Sequence, residues 1–398
     1  MVRKGMPLRR SAAVILVLTL ALGSAPPVRS QQRAQAESSR AASVPGAIPA
    51  AEFSRLIQEF SEEGGSFQSD NFTSNETSYL DIVGRLREMG ISGGAYVGVG
   101  PEQNFTYIAK IRPRIAFIVD IRRQAMIQHL LYKAVFHLAE DPAQFLSWLF
   151  SKPLSKTRSE TKGSLEDLLR YILEAPTTQA TFLTNLAAIR KTIEQDFAFP
   201  LSPEDAQSLE YIYKAFWQDN LRIRYGAGSP YLEELILEAD REGKRGNFLA
   251  QADDYQFVRQ LQEENRVIPV VGDFGGTKAL AAVAEYLREN GYTVSAFYTS
   301  NVEEYLYWSK SFRSFAENVG KLPLSGRSVI IRALRSGFAS HHPASLPGAT
   351  RMTLLQKISV FLEDFSEGFY RDYWNLVTTH YISAAAPNPN VSPIPVSR

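Results

Sequence analysis

The 398-residue chain contains no cysteine. That excludes disulfides, thiolate metal ligands, a cysteine nucleophile and a lipid anchor on an N-terminal cysteine. Charge of one sign is equally lacking: 43 Lys and Arg face 42 Asp and Glu, for a formal net charge of +1. No composition-level argument for a nucleic-acid partner survives that balance. Histidine is scarce, and His129, His137, His341, His342 and His380 nowhere form the two-histidine helical zinc pattern. His137 and Glu140, three apart, would offer at most two ligands on one helix face, so no metal site is expected. A Gly-x-Ser-x-Gly elbow is missing, and Gly275-Gly276-Thr277-Lys278 lacks the Gly-Lys-Ser/Thr order of a phosphate loop. The apolar stretch Ala12 to Leu22 is short of the ~20 residues needed to span a bilayer.

That stretch follows Arg3, Lys4, Arg9 and Arg10 and precedes the small-residue site Ala34-Gln35-Ala36, which is the layout of an export signal. Residues 1–36 are read as signal peptide and leader, and 37–50 as a flexible segment. The mature protein is expected to be periplasmic or secreted from a bacterium, with no stable membrane span after cleavage; an uncleaved N-terminal anchor is the alternative. At the other end, 384–398 carries prolines at 387, 389, 393 and 395 and reads as an extended tail. With 44% hydrophobic residues, the body between is expected to be globular.

Within the body, Ala95 to Gly98 leads through Gly100 into a helical stretch beginning near Asn104. Ile115 to Val119 is a fully apolar run that ends on Asp120, twenty positions past Gly100. Strand, glycine turn, helix, strand and acid form the pattern of a Rossmann-type nucleotide pocket. Glycines let the backbone approach a ligand, and the carboxylate accepts ribose hydroxyls. Further strands are expected at Val267–Val271, Thr293–Tyr298 and Arg327–Arg332, separated by helices. Alternating strands and helices argue for an α/β, mainly parallel sheet. No strand pattern occurs between Asp120 and Arg266, where Ser164-x-x-Asp167 and Ser202-Pro203-x-Asp205 mark helix starts. The body thus divides into 51–140 and 266–383, two parts of one Rossmann-like domain, with a helical insertion over 141–265 between the second and third strands.

These residues resemble the Rossmann-like fold of S-adenosylmethionine-dependent methyltransferases. The resemblance implies that Gly98 and Gly100 approach the cofactor, that Asp120 binds its ribose and that Asp273 binds its adenine. Glu102 stands where a third glycine often falls and would reach the cofactor's amino group or cap the following helix. Tyr298, Ser300 and Asn301 would face the methyl acceptor, with no catalytic residue assigned. The chain is also similar to an uncharacterised bacterial family sharing the run from Gly98 to Ile108. The resemblance departs from its pattern in lacking an acid before Gly98 and in the length of the insertion. Read from the residues alone, the glycines also fit a ligand-free turn, Asp120 also fits a pair with Arg122 or Arg123, and Asp273 also fits a helix cap. A non-catalytic envelope binding or scaffold protein that retains the fold is the alternative to a methyltransferase. His341 and His342, in a loop after the last expected strand, would contribute from the pocket rim.

Overall fold

The computed structural model describes residues 46–154, 163–345 and 350–384, and these belong to one compact unit. The export signal read over 1–36, most of the 37–50 segment and all but the first residue of the tail lie outside the described residues.

The sheet has six strands in the order β3-β2-β1-β4-β5-β6. In chain order they are β1 (Ala95–Gly98), β2 (Ile115–Asp120), β3 (Val267–Val271), β4 (Val294–Ser300), β5 (Leu324–Leu334) and β6 (Met352–Lys357). β1 to β5 pair in parallel, and β6 runs antiparallel to β5 along the edge. β1, β2 and β3 are buried at every position, which is why their sequences are unbroken apolar runs rather than alternating ones. Pro269 is accepted in β3 because that strand is the opposite edge of the sheet. The α/β, mainly parallel, Rossmann-like architecture read from the sequence is the architecture observed, and its strand order reverses direction between β1 and β4.

Between β2 and β3 the described residues contain no strand, only isolated bridges such as Arg224 with Tyr231. Both helix starts read there are formed: Ser164 with Asp167 and Ser202 with Asp205 make reciprocal capping boxes. Asp205 does a second job, receiving Arg123 Nε and Nη2 at 2.7 Å each and tying the insertion to the helix Arg123–Leu138 that follows β2.

Two local features depart from what the sequence pattern suggests. The apolar residues Leu80, Ile82, Val83, Leu86 and Met89 fall at helical spacing, yet the helix is confined to Val83–Glu88, with turns before it. β6 had no signal as a strand, because it passes into the helix Ile358–Ser366 with no glycine or proline between them. Its place is fixed by partners far away in sequence. Arg332 on β5, fully buried, donates from Nε to Glu303 Oε2 at 2.7 Å and from Nη1 to Gln356 Oε1 of β6 at 2.7 Å.

A buried ion pair is costly to break from one side, since the remaining charge is left without a partner. Arg332→Ala is therefore expected to destabilise the fold by about 3–5 kcal/mol. Arg332→Met combined with Glu303→Leu should recover most of that loss. Urea unfolding with an unchanged m-value checks both, and an equally unstable double variant would contradict the reasoning.

Candidate functional site

All five parallel strands present their C-terminal ends to a cavity of about 600 Å³, a size typical of sites for small ligands. β1 contributes Val99 to Pro101, β2 Val119 to Arg122, β3 Gly272 to Phe274, β4 Tyr298 and Ser300, and β5 Ala333 to Arg335. Parts of the segment 66–76, Tyr225 of the insertion, parts of 301–309 after β4 and Arg351 before β6 add to the wall.

The turn after β1 is built by the residues that follow it. Gly98 has no side chain because a Cβ there would lie 2.1 Å from Asn104 Oδ1 and 2.7 Å from the Tyr96 ring. Asn104 uses that space: its Nδ2 donates to the carbonyls of Val99, Gly100 and Pro101 at 2.9, 3.0 and 2.8 Å, and its Oδ1 accepts from Tyr96 Oη at 2.9 Å. Gly100 sits at φ +79°, a left-handed conformation suited to glycine, and a Cβ would meet nothing within 4 Å. His129 Nε2 donates to the Gly100 carbonyl at 2.8 Å. Burial pushes this imidazole down to about 4, so it is neutral at physiological pH. With its carbonyls drawn inward, the turn keeps the Gly100 N–H without an acceptor among the described residues.

The expected site residues divide on this geometry. Gly100, Asp120, Asp273, Tyr298, Ser300 and Asn301 line the same cavity; Gly98 and Glu102 do not. Gly98 is required by packing against Asn104 rather than by a ligand. Glu102 is corrected from both its expected roles. Its side chain makes no capping bond to the helix Gln103–Ile111 and instead turns into the protein, where Oε1 accepts from the Ser74 N–H at 3.2 Å. It borders a separate space of about 10 Å³, room for roughly one water. Burial pushes its carboxyl up to about 7.

Asp120 keeps its place at the end of β2 and also makes the pair with Arg122 that the sequence left open. Oδ1 accepts from the Arg122 N–H and Nε at 3.0 Å each, and Oδ2 from Nη2 at 2.9 Å. A carboxylate has about four acceptor positions, so one on Oδ2 stays open to a ligand. Asp273 accepts from the Gly275 N–H on Oδ1 at 2.8 Å, closing a turn. The helix cap expected of it is supplied by Glu62, whose Oε1 accepts from the N–H groups of Lys278 and Ala279 at 2.8 and 2.7 Å. The glycine-rich segment 275–278 therefore already holds a carboxylate where a phosphate loop would hold its ligand.

Sequence reasoning missed Glu76. It lies on the cavity wall and is buried; Oε2 accepts from Gln103 Nε2 at 2.8 Å and Oε1 from Ser300 Oγ. Ser300 reaches it from a left-handed backbone, φ +52°, at the end of β4. Burial raises the Glu76 carboxyl, opposed by bonds from Ser300 and Gln103. The polar run 69–77 has no apolar period and reads as a loop, so nothing in it singled out Glu76.

Among the described residues no histidine lines the cavity, and His129 acts only by holding the Gly100 carbonyl. His342 is buried, donating from Nε2 to the Val377 carbonyl at 3.0 Å, and His137 faces Glu263 at 3.4 Å. Among the described residues no cluster of three or more His, Asp or Glu could hold a metal ion, and no helix is long and apolar enough to cross a membrane.

Residues 71–371 match the domain of unknown function DUF7790. The chain belongs to that family. The matched region holds all five strand ends of the cavity and the segment from Asn71 to Glu76, but leaves out Glu62. No curated protein matches the chain.

Glu102 supplies a pH test. Its folded value lies above the usual value near 4.5, so its contribution to stability is fully present below about 4.5 and lost as pH rises through about 7. Glu102→Gln keeps an acceptor for Ser74 without the charge. It is expected to be more stable than the parent at pH 8, by up to about 3 kcal/mol, and no more stable at pH 4. Urea melts at the two pH values check this; equal differences at both would contradict a buried, raised carboxyl.

Proposed function

We propose that the cavity binds a nucleotide-type ligand of the S-adenosylmethionine class and serves methyl transfer to an acceptor entering from the β4–β5 side. The observation that carries this reading is the convergence of Gly100, Asp120 and Asp273 on one cavity beside the reversal in strand order, where open α/β sheets take their ligands.

The polar groups present fit such a ligand in kind. The Gly100 N–H is a donor without an acceptor among the described residues, and Asp120 Oδ2 retains one acceptor position for a ribose hydroxyl. Asp273 Oδ2 makes no bond among the described residues and suits an amino group. The cofactor would supply an activated methyl group; the chain would supply position and exclusion of water. Ser300 and Asn301 stand on the acceptor side, with Tyr298 fixed by the bond its hydroxyl accepts from Gln103 Nε2 at 3.0 Å. The N-terminal pattern adds export to the periplasm or exterior of a bacterium as part of the proposal.

The engagement of Asp120 by Arg122 favours a second reading, a non-catalytic envelope binding or scaffold protein on the same fold. Calorimetric titration of the purified protein with S-adenosylmethionine and S-adenosylhomocysteine separates the two. Saturable binding, weakened about tenfold or more by Asp120→Asn, is expected for the nucleotide site. No heat at millimolar ligand would leave the non-catalytic reading.

A further inference from the structure

The β5–β6 end of the cavity carries a pattern that a nucleoside does not use. The two strands are antiparallel, and their outermost register pair is Leu334 with Met352. The next residues outward are Arg335 and Arg351, so two arginines leave one ladder side by side, and both line the cavity. Opposed residues on such a ladder have Cα atoms about 4.5–5.5 Å apart, and like charges placed there destabilise the pair.

Only one of them makes an ion pair among the described residues. Arg335 donates to the buried Glu304, from Nε at 2.8 and 2.9 Å and from Nη2 at 2.5 Å, and lies over the Phe338 ring at 5.1 Å; its Nη1 makes no hydrogen bond among the described residues. Arg351, half-buried, makes no ion pair among the described residues. The carboxyl that feels its charge is Glu76, whose Oε1 accepts from Ser300 and whose Oε2 accepts from Gln103.

Aromatic side chains adjoin this charge. Tyr305 contacts Phe67 and Trp308 edge to face, with ring centroids 5.1 and 5.0 Å apart, and the charge of Arg335 acts on the Tyr305 hydroxyl. Trp308 lines the cavity yet is 63% exposed, an apolar ring left at the mouth.

We propose that this end of the cavity binds a small molecule bearing a carboxylate or phosphate on an aromatic or apolar body. Arg351 and Arg335 grip the anionic group, and Tyr305 and Trp308 flank the body. Guanidinium groups match both anions in a two-point geometry, and partial burial strengthens the contact over its value in water. The proposal rests on the reading of the cavity as a ligand site and names the class of its second ligand.

The test titrates the purified protein with benzoate, phenyl phosphate and neutral benzamide, following tryptophan fluorescence. S-adenosylhomocysteine is titrated calorimetrically in parallel. At least one anion is expected to bind about tenfold or more tighter than benzamide, with affinity falling as salt rises. Which anion wins identifies the charged group. Arg351→Ala should abolish the preference and Arg351→Lys should retain part of it, while affinity for S-adenosylhomocysteine is unchanged in both. Equal binding of all three probes, or an anion preference that survives Arg351→Ala, would overturn the proposal. Anion preference without any binding of S-adenosylhomocysteine would remove the nucleotide reading and leave the anion site standing.

Discussion

Parallel pairing is the constraint on which the rest of this molecule depends. Strands that all run one way need a crossover after each, so β1 to β5 end together along one edge of the sheet. Helices cover both faces, leaving that edge as the place where backbone breaks off and side chains of five strands meet. The insertion does not alter this. It leaves after β2 and returns before β3, and the pairing of Ala116 to Asp120 with Val267 to Val271 closes the sheet as if it were absent.

Most polar groups around the resulting cavity already have partners within the chain. Asp120 is held by Arg122, Asp273 closes its own turn, and Glu76 is held by Ser300 and Gln103. Groups fixed in this way keep their geometry without a ligand, and preorganisation of that kind lowers the entropy lost on binding. What is left open is sparse and spatially sorted. A backbone donor and two carboxylate oxygens lie on the β1–β3 side, and two guanidinium groups lie at the β5–β6 end. A ligand pair with matching polarity, nucleoside-like on one side and anionic on the other, would satisfy both sets.

β1 to β3 were legible because they are buried on both faces and so spell out as continuous apolar runs, which neither solvent-facing strands nor loops do. Asp120 and Asp273 were legible because each closes such a run. Glu102 was misjudged because sequence spacing gives position along a helix but not the direction of a side chain; tertiary packing turned it toward Ser74. Glu76 and Arg351 were invisible for a different reason. Both sit in polar connections with no period, and each reaches the cavity only through contacts with β4 or β6, more than 200 residues from Glu76 in the first case. β6 is joined to β5 by Arg332, which donates to Gln356 of β6 and pairs with Glu303, partners that no local pattern connects.

Amide hydrogen exchange with and without S-adenosylhomocysteine tests the central claim most directly, since it reads the strand ends separately. The account predicts slowed exchange at Gly100, at Ile121 and Arg122, and at Gly272 to Phe274, with the distant helix Gln179–Lys191 unchanged. Identical exchange at all of these positions in saturating ligand would contradict a nucleotide site at the ends of β1 to β3.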